Sequence, residues 1–333
     1  MFKVKLLYSI LLFFKKVNLQ FAINYIGDNI FIYGEHFELT KLCLCAKIIG
    51  KKNISGGLMD TVYIVLISVL SPVVLLFVIY LFLAAPKKGR RRMIEKYAKV
   101  NYAHRGLHDA TRAENSLSAF AAAVDAGYGI ELDVRLSKDG ELVVFHDDTL
   151  DRVTEGHGRV DSKTLSELQE LHLSKTDDTV PTFAEVLALV RGRVPLLVEI
   201  KEDPFKYGVT EKCAEMLQGY EGEFIVESFN PLALWKFKKI MPKALRGVLS
   251  DHFFAEKKYR KPMYFLLQMF MLNFLAAPDF IAFNHERYRS LGFKIQKNLF
   301  RPTLFAWTVR SSQAEVLAKK HGFDSVIFEH YTP

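Results

Sequence analysis

Two short runs place acidic side chains where the surrounding chain is apolar: Ile130-Glu131-Leu132-Asp133-Val134 and Val198-Glu199-Ile200-Lys201. Residues two apart on a strand point to the same face, so Glu131 and Asp133 form one pair, and Glu199 and Lys201 another. Two carboxylates on the interior face of an apolar strand are costly unless something compensates their charge. A divalent cation does this, and hard oxygen ligands without a thiolate point to Mg²⁺ or Ca²⁺ rather than zinc. Spacing alone leaves open the alternative in which one of the pair turns to solvent. His104-Arg105-Gly106 ends one strand-like run and His146-Asp147 ends another. A lone histidine is usually structural, but two at strand ends of a barrel-like pattern lie where barrel active sites are built. A metal neutralises phosphate oxygens, Arg105 suits bidentate phosphate binding, and two histidines can exchange acid and base roles at neutral pH. Together these parts suit phosphodiester cleavage.

The elements that must position them begin at Asn101. Strand-like runs are Tyr102-Ala103, Ile130 to Leu136, Leu142 to Phe145, Leu196 to Ile200, Phe224 to Val226, Arg246 to Leu249, Phe280 to Phe283, Thr303 to Val309 and Ser325 to Phe328. Several lack period-2 alternation, as parallel strands buried on both faces do. Helices lie between many of them. Thr164-Leu-Ser-Glu167, Thr182-Phe-Ala-Glu185 and Ser312-Gln-Ala-Glu315 each match the capping box that opens a helix. Strand-helix alternation over about 230 residues predicts an α/β fold, a (β/α)₈ TIM-type barrel. A doubly wound sheet is disfavoured because no Gly-rich dinucleotide fingerprint follows any strand. Only Ser137-Lys-Asp-Gly140 separates the second and third runs, too short for a parallel crossover. The barrel is therefore expected to be irregular there, with a hairpin on an Asp-Gly turn. That hairpin reconciles nine strand-like runs with eight barrel strands, and brings Glu131 level with His146.

In chain order the motifs are His104-Arg-Gly106, Glu114-Asn-Ser, Glu131-Leu-Asp133, His146-Asp147, Glu199-Ile-Lys201, Ser228-Phe229 and Trp307-Thr-Val309. Together they resemble the glycerophosphodiester phosphodiesterase family, over about residues 100–331. The resemblance implies a phospholipase-C-like barrel, a divalent metal, and hydrolysis of glycerophosphodiesters to glycerol 3-phosphate and an alcohol. It further implies that Glu131, Asp133 and Glu199 are metal ligands, His104 and His146 the acid/base pair, and Arg105 and Lys201 phosphate holders. Glu114 resembles the family's site glutamate, and Trp307 would wall the glycerol pocket. In the family's usual mechanism the glycerol 2-hydroxyl attacks phosphorus, and water opens the resulting cyclic phosphate. Ala113 and Ser116 depart mildly from the pattern. Phe328-Glu329-His330-Tyr331 stands where a Thr-Asp-x-Pro type ending is common, which leaves the role of Glu329 open. Lysophospholipase D action on lyso-lipids, or a non-catalytic membrane-bound binding module on the same fold, are the rival readings. The second is disfavoured by an intact pair of histidines.

The remainder of the chain concerns location. Of 333 residues half are hydrophobic and a quarter charged, with a formal net charge of +8. Thr61 to Ala85 carries no charge, and about 20 apolar residues suffice to cross a bilayer core; residues 59–86 are therefore expected to be a transmembrane helix. Lys87, Lys88, Arg90, Arg91 and Arg92 follow at once, within a basic juxtamembrane linker of residues 87–98. Flanking basic residues stay on the cytoplasmic side, so the catalytic domain, residues 99–333, is expected in the cytoplasm on a single-pass anchor in the cell membrane. Anionic headgroups of the inner leaflet are a nearer partner for this charge than nucleic acid. Cys43, Cys45 and Cys213 form no disulfide framework and no plausible zinc site, and fit a reducing compartment. Residues 1–58 contain no Pro and no Arg, and Gly56-Gly57 before Met59 is what a GGAGG-type ribosome-binding sequence encodes when read through. An untranslated leader with Met59 as native start is one expectation, and a genuine extension from Met1 the other. Finally, Lys257-Lys258-Tyr-Arg260-Lys261 precedes an apolar run to Ala277, forming an insertion at about 252–278. It is either a core-facing barrel helix or an interfacial helix with basic residues on headgroups.

Overall fold

A computed structural model of the chain describes residues 58–203 and 208–333, with side chains from residue 66. The leader segment and Cys43 and Cys45 lie outside the described residues. The strands are β1 (Tyr102–Ala103), β2 (Gly129–Leu136), β3 (Leu142–Val144), β4 (Leu196–Ile200), β5 (Phe224–Ser228), β6 (Arg246–Ser250), β7 (Phe280–Asn284), β8 (Thr303–Val309) and β9 (Ser325–Phe328). Strand β1 pairs in parallel with both β2 and β9, which closes the other seven parallel strands into a ring of eight. The predicted barrel is there. So is its irregularity: β3 is antiparallel to β2, with Val134 opposite Val144 and Leu136 opposite Leu142. Gly140 closes that hairpin at φ +81°, a left-handed conformation suited to glycine.

Burial on both faces explains the near-continuous apolar strands. Ile130, Leu132 and Val134 of β2, and Leu196, Val198 and Ile200 of β4, pack outward against the helices. The intervening residues point into the barrel, where Leu197, Ile225, Leu249, Phe280, Phe305 and Ile327 form a separate cluster. Gly247 leaves room for the Phe280 ring, which a Cβ there would meet at 2.2 Å. Two capping boxes form as expected, at Thr164 with Glu167 and at Thr182 with Glu185. The third is displaced by one residue. Ser311 caps the helix Ser312–Lys320, while Glu315 turns inward to Lys319 and to the Tyr331 hydroxyl at 3.1 Å.

An apolar helix spans Leu58–Ala84, with Pro72 inside it. It is long and apolar enough to cross a membrane, and large apolar side chains from Leu66 to Phe77 are exposed. Its last carbonyl, on Ala84, accepts hydrogen bonds from the buried amides of Asn273 (2.9 Å) and Gln296 (2.8 Å). This satisfies a helix end that would otherwise be left unpaired.

The expected linker of residues 87–98 is more than a linker. Arg91–Ala98 is a helix whose Ile94 and Tyr97 join the interior cluster. It closes the N-terminal end of the barrel, since Ile94 and Tyr97, three apart, share one helix face. Arg90 bonds the carbonyl oxygens of Pro242 and Lys243 and lies 3.5 Å from Asp279, so it faces protein. The insertion folds as short pieces rather than one continuous helix: Pro262–Gln268, then Asn273–Ala276, with Phe270, Asn273 and Ala276 buried. Met263, Phe265 and Phe274 remain exposed.

Candidate active site

The ends of the barrel strands opposite the plug helix carry the predicted residues. Asp133 on β2 sits beside Glu199 on β4, which sits beside Glu227 on β5. Glu131, Asp133 and Glu199 are all buried, and one carboxylate oxygen from each lies within 4.8 Å of the others, an arrangement that could hold a metal ion. Neither carboxylate of β2 turns to solvent. Their compensation is partial. Lys201 Nζ lies 2.7 Å from Glu199 and 3.1 Å from Asp133, and Arg105 Nε lies 3.6 Å from Asp133. Asn115 Nδ2 donates to Asp133 at 2.9 Å, and the Arg105 backbone N–H to Glu131 at 3.0 Å. Four buried carboxylates thus face two cations, and a divalent ion matches the remaining charge. Burial, then repulsion from Asp133 and Glu199, pushes Glu131 well above the ordinary carboxylate range. Burial opposes the charge on Asp133 too, but Lys201, His146 and Arg105 outweigh it and hold its carboxyl well down.

His104 and Arg105 ride on a tight turn after β1. Arg105 adopts φ +56° and Gly106 +81°, and a Cβ on Gly106 would meet Ala119 and Phe120 at 2.9 Å. His104 Nδ1 lies 3.2 Å from Glu329 Oε2, while Nε2 faces Glu131 at 4.0 Å. Burial pushes the His104 imidazole down to about 4, against the opposing pull of Glu329. The doubtful last-strand acid is therefore the partner of a site histidine. His146 follows β3, with Nδ1 2.5 Å from Asp147, and its carbonyl accepts from Arg135 at 2.7 Å and 2.9 Å.

Arg152 and Glu227 were not singled out by the sequence. Arg152 bridges Asp147 (2.5 Å) and Glu114 (2.6 Å and 2.8 Å), and Glu114 also accepts from Arg105 Nη1 at 2.7 Å. Glu114 is thereby held between two guanidiniums. Burial opposes its charge, but Arg152 and Arg105 keep its carboxyl below the usual range. Glu227 is only 1% exposed, and its Oε2 has no hydrogen-bond partner; the interior parity of β5 was its only available signal. Trp307 stands edge-on to Phe229, ring centroids 5.6 Å apart. The two line a cavity with Phe253, Tyr259 and His252 of the insertion.

A closed parallel barrel with histidines, basic residues and a buried acidic cluster at its C-terminal mouth defines a barrel enzyme of phosphate-ester chemistry. The profile of the Glycerophosphoryl diester phosphodiesterase family matches residues 104–332. A glycerophosphodiester phosphodiesterase of Caldanaerobacter subterraneus is 32% identical over 236 residues, 68% of this chain and 91% of the relative. The chain belongs to this family, and with it to the phosphoric diester hydrolases. Among solved structures, glycerophosphodiester phosphodiesterase from Thermotoga maritima is 27% identical at a TM-score of 0.54, over 69% of this chain and 93% of that one. An Oleispira antarctica phosphodiesterase in complex with the product sn-glycerol-3-phosphate shares the fold at a TM-score of 0.58 and 22% identity, over 70% and 94% of the two chains.

Proposed function

We propose that this protein hydrolyses glycerophosphodiesters to glycerol 3-phosphate and an alcohol, using His104 and His146 as its acid–base pair. The observation that carries this reading is the buried Glu131, Asp133 and Glu199 cluster with His104 Nε2 facing it. These three carboxylates would hold Mg²⁺ or Ca²⁺, which when bound neutralises phosphate oxygens and polarises phosphorus. Arg105 and Lys201, already at the cluster, orient the phosphate. Glu114 and Arg152 keep the Arg105 guanidinium in place. His104 is neutral at pH 7, with Nδ1–H donating to Glu329, so Nε2 accepts the proton of the glycerol 2-hydroxyl. That oxygen attacks phosphorus and the bond to the alcohol breaks. His146, oriented through Nδ1 by Asp147, gives the departing alkoxide its proton. Water then opens the cyclic phosphate with the two roles exchanged. A non-catalytic binding module would have no use for carboxylates oriented behind both histidines.

The cavity walled by Phe229, Phe253, Tyr259 and Trp307, which Asp251, Glu256 and Arg287 also line, favours a second reading, in which the glycerol moiety bears a further group, as in a lyso-lipid. The start of the insertion thereby supplies a pocket wall through Phe253 and Tyr259, while Met263, Phe265 and Phe274 stay exposed. The apolar helix is best read as a single membrane anchor, with the barrel in the cytoplasm and the inner leaflet near Lys87 and Lys88. Its joint with the barrel lies at the plugged end, since Lys87 N–H bonds Pro278 just before β7, and the site opens at the other. That arrangement supports soluble substrates over lipids held in the same bilayer. Incubation with glycerophosphocholine and Mg²⁺ or Ca²⁺ should release glycerol 3-phosphate, and EDTA should stop it. Absence of product with either metal would remove the proposal.

A further inference from the structure

Beyond the carboxylate cluster, a second group of metal-ligating side chains meets at the mouth of the barrel among the described residues. It comprises His108, Glu329 and His330, whose donor atoms all lie within 4.8 Å of one another. His108 belongs to the loop after His104-Arg105-Gly106, and Glu329 and His330 follow β9. The two oxygens of Glu329 are divided between two sets of partners. Oε2 faces His104 Nδ1 at 3.2 Å and Arg310 at 3.1 Å. Oε1 faces His330 Nε2 at 2.8 Å and His108 Nε2 at 3.7 Å. His108 Nε2 is buried and has no hydrogen-bond partner. The reaction described above uses neither His108 nor His330, and a buried ring nitrogen without a partner costs free energy.

We propose that His108, Glu329 and His330 form a second cation site, for a metal of the zinc class. Two imidazoles and one carboxylate with a fourth position open is a donor set that suits Zn²⁺, and imidazole selects it over Mg²⁺ and Ca²⁺. Zinc bonds of roughly 2.0–2.2 Å in a tetrahedron place donors about 3.4 Å apart. The 2.8 Å and 3.7 Å separations at Oε1 bracket that value. His330 is half exposed and free to adjust. Arg310 does not compete, because it rests on the other oxygen and is itself largely exposed. A cation on Oε1 weakens Oε2 as an acceptor for His104 Nδ1, so occupancy slows the hydrolysis. That consequence rests on the proposed role of His104, whereas the site itself does not.

The test uses the full chain in mild detergent with excess Mg²⁺, titrated with Zn²⁺ by equilibrium dialysis beside the His108→Ala/His330→Ala variant. The wild type should retain one zinc equivalent more than the variant, with equal melting temperatures for the two in EDTA. The exposed single change His330→Ala, which perturbs the fold least, should weaken that equivalent about tenfold or more. Zn²⁺ should suppress glycerol 3-phosphate release more strongly in the wild type, and a zinc-selective chelator should reverse it. Equal zinc binding by wild type and variants overturns the site, since zinc held by the Glu131 cluster is indifferent to these histidines. An extra equivalent with identical inhibition overturns its action on His104. A chain that hydrolyses nothing defeats the proposed function, and dialysis still decides the site.

Discussion

At the scale of single residues, the site is a set of charges made tolerable by one another. His104 lies between Glu329 and Glu131, and His146 is fixed by an Asp147 that Arg152 also holds. General acid–base groups contribute roughly 10²–10⁴-fold apiece. His104→Ala and His146→Ala should therefore each lower kcat by about that factor with little change in KM, as steady-state kinetics on glycerophosphocholine will show. A fall confined to KM would assign the histidines to binding. The carboxylate pair on β2, the Glu199–Lys201 pair and both histidines were legible because strand parity and strand ends decide where such side chains point. Arg152, Asn115 and Glu227 were not, because each is defined by a neighbour distant in sequence: Glu114, Asp133 and Glu199 respectively. Glu329 was visible only as a departure from a motif, and its contact with His104 spans the whole barrel domain.

At the scale of elements, the β2–β3 hairpin and two of three helix starts follow from local rules, an Asp-Gly turn and two capping boxes. The third start failed by one residue because Glu315 finds better partners in Lys319 and Tyr331 than at the helix end. The plug helix was missed for a different reason. Arg91, Arg92, Glu95 and Lys96 make it read as a charged linker, and its purpose appears only when Ile94 and Tyr97 meet the open end of a barrel. Ile94 is fully buried there, and truncating a buried Ile to Ala costs about 2–5 kcal/mol. Ile94→Ala should lower stability by that amount in urea unfolding. Turnover per folded molecule should be unchanged, because the reacting groups lie at the other mouth. A loss of kcat without a loss of stability would place the plug in the reaction.

At the scale of the whole molecule, barrel closure separates two ends with different tasks. The N-terminal end carries the plug and the joint to the apolar helix, through Ala84, Asn273, Gln296 and Asp279. The other carries His104, His146 and the acidic cluster. With the chain reconstituted into liposomes that also contain lysophosphatidylcholine, glycerophosphocholine in the buffer should be turned over and the lyso-lipid spared. Preferential cleavage of the lyso-lipid would mean that the mouth reaches the bilayer. The joint has a further consequence for how substrate arrives. A strand of five residues rises roughly 16 Å, about two screening lengths of roughly 8 Å at physiological salt. The phosphodiester group is anionic, and a glycerophosphodiester whose alcohol carries no positive charge would be depleted next to acidic headgroups by their field. On the proposed membrane anchor, a joint at the end of the barrel opposite the site would set the mouth clear of that field. Such an anchor would fix where the enzyme sits without thinning the supply of what it consumes.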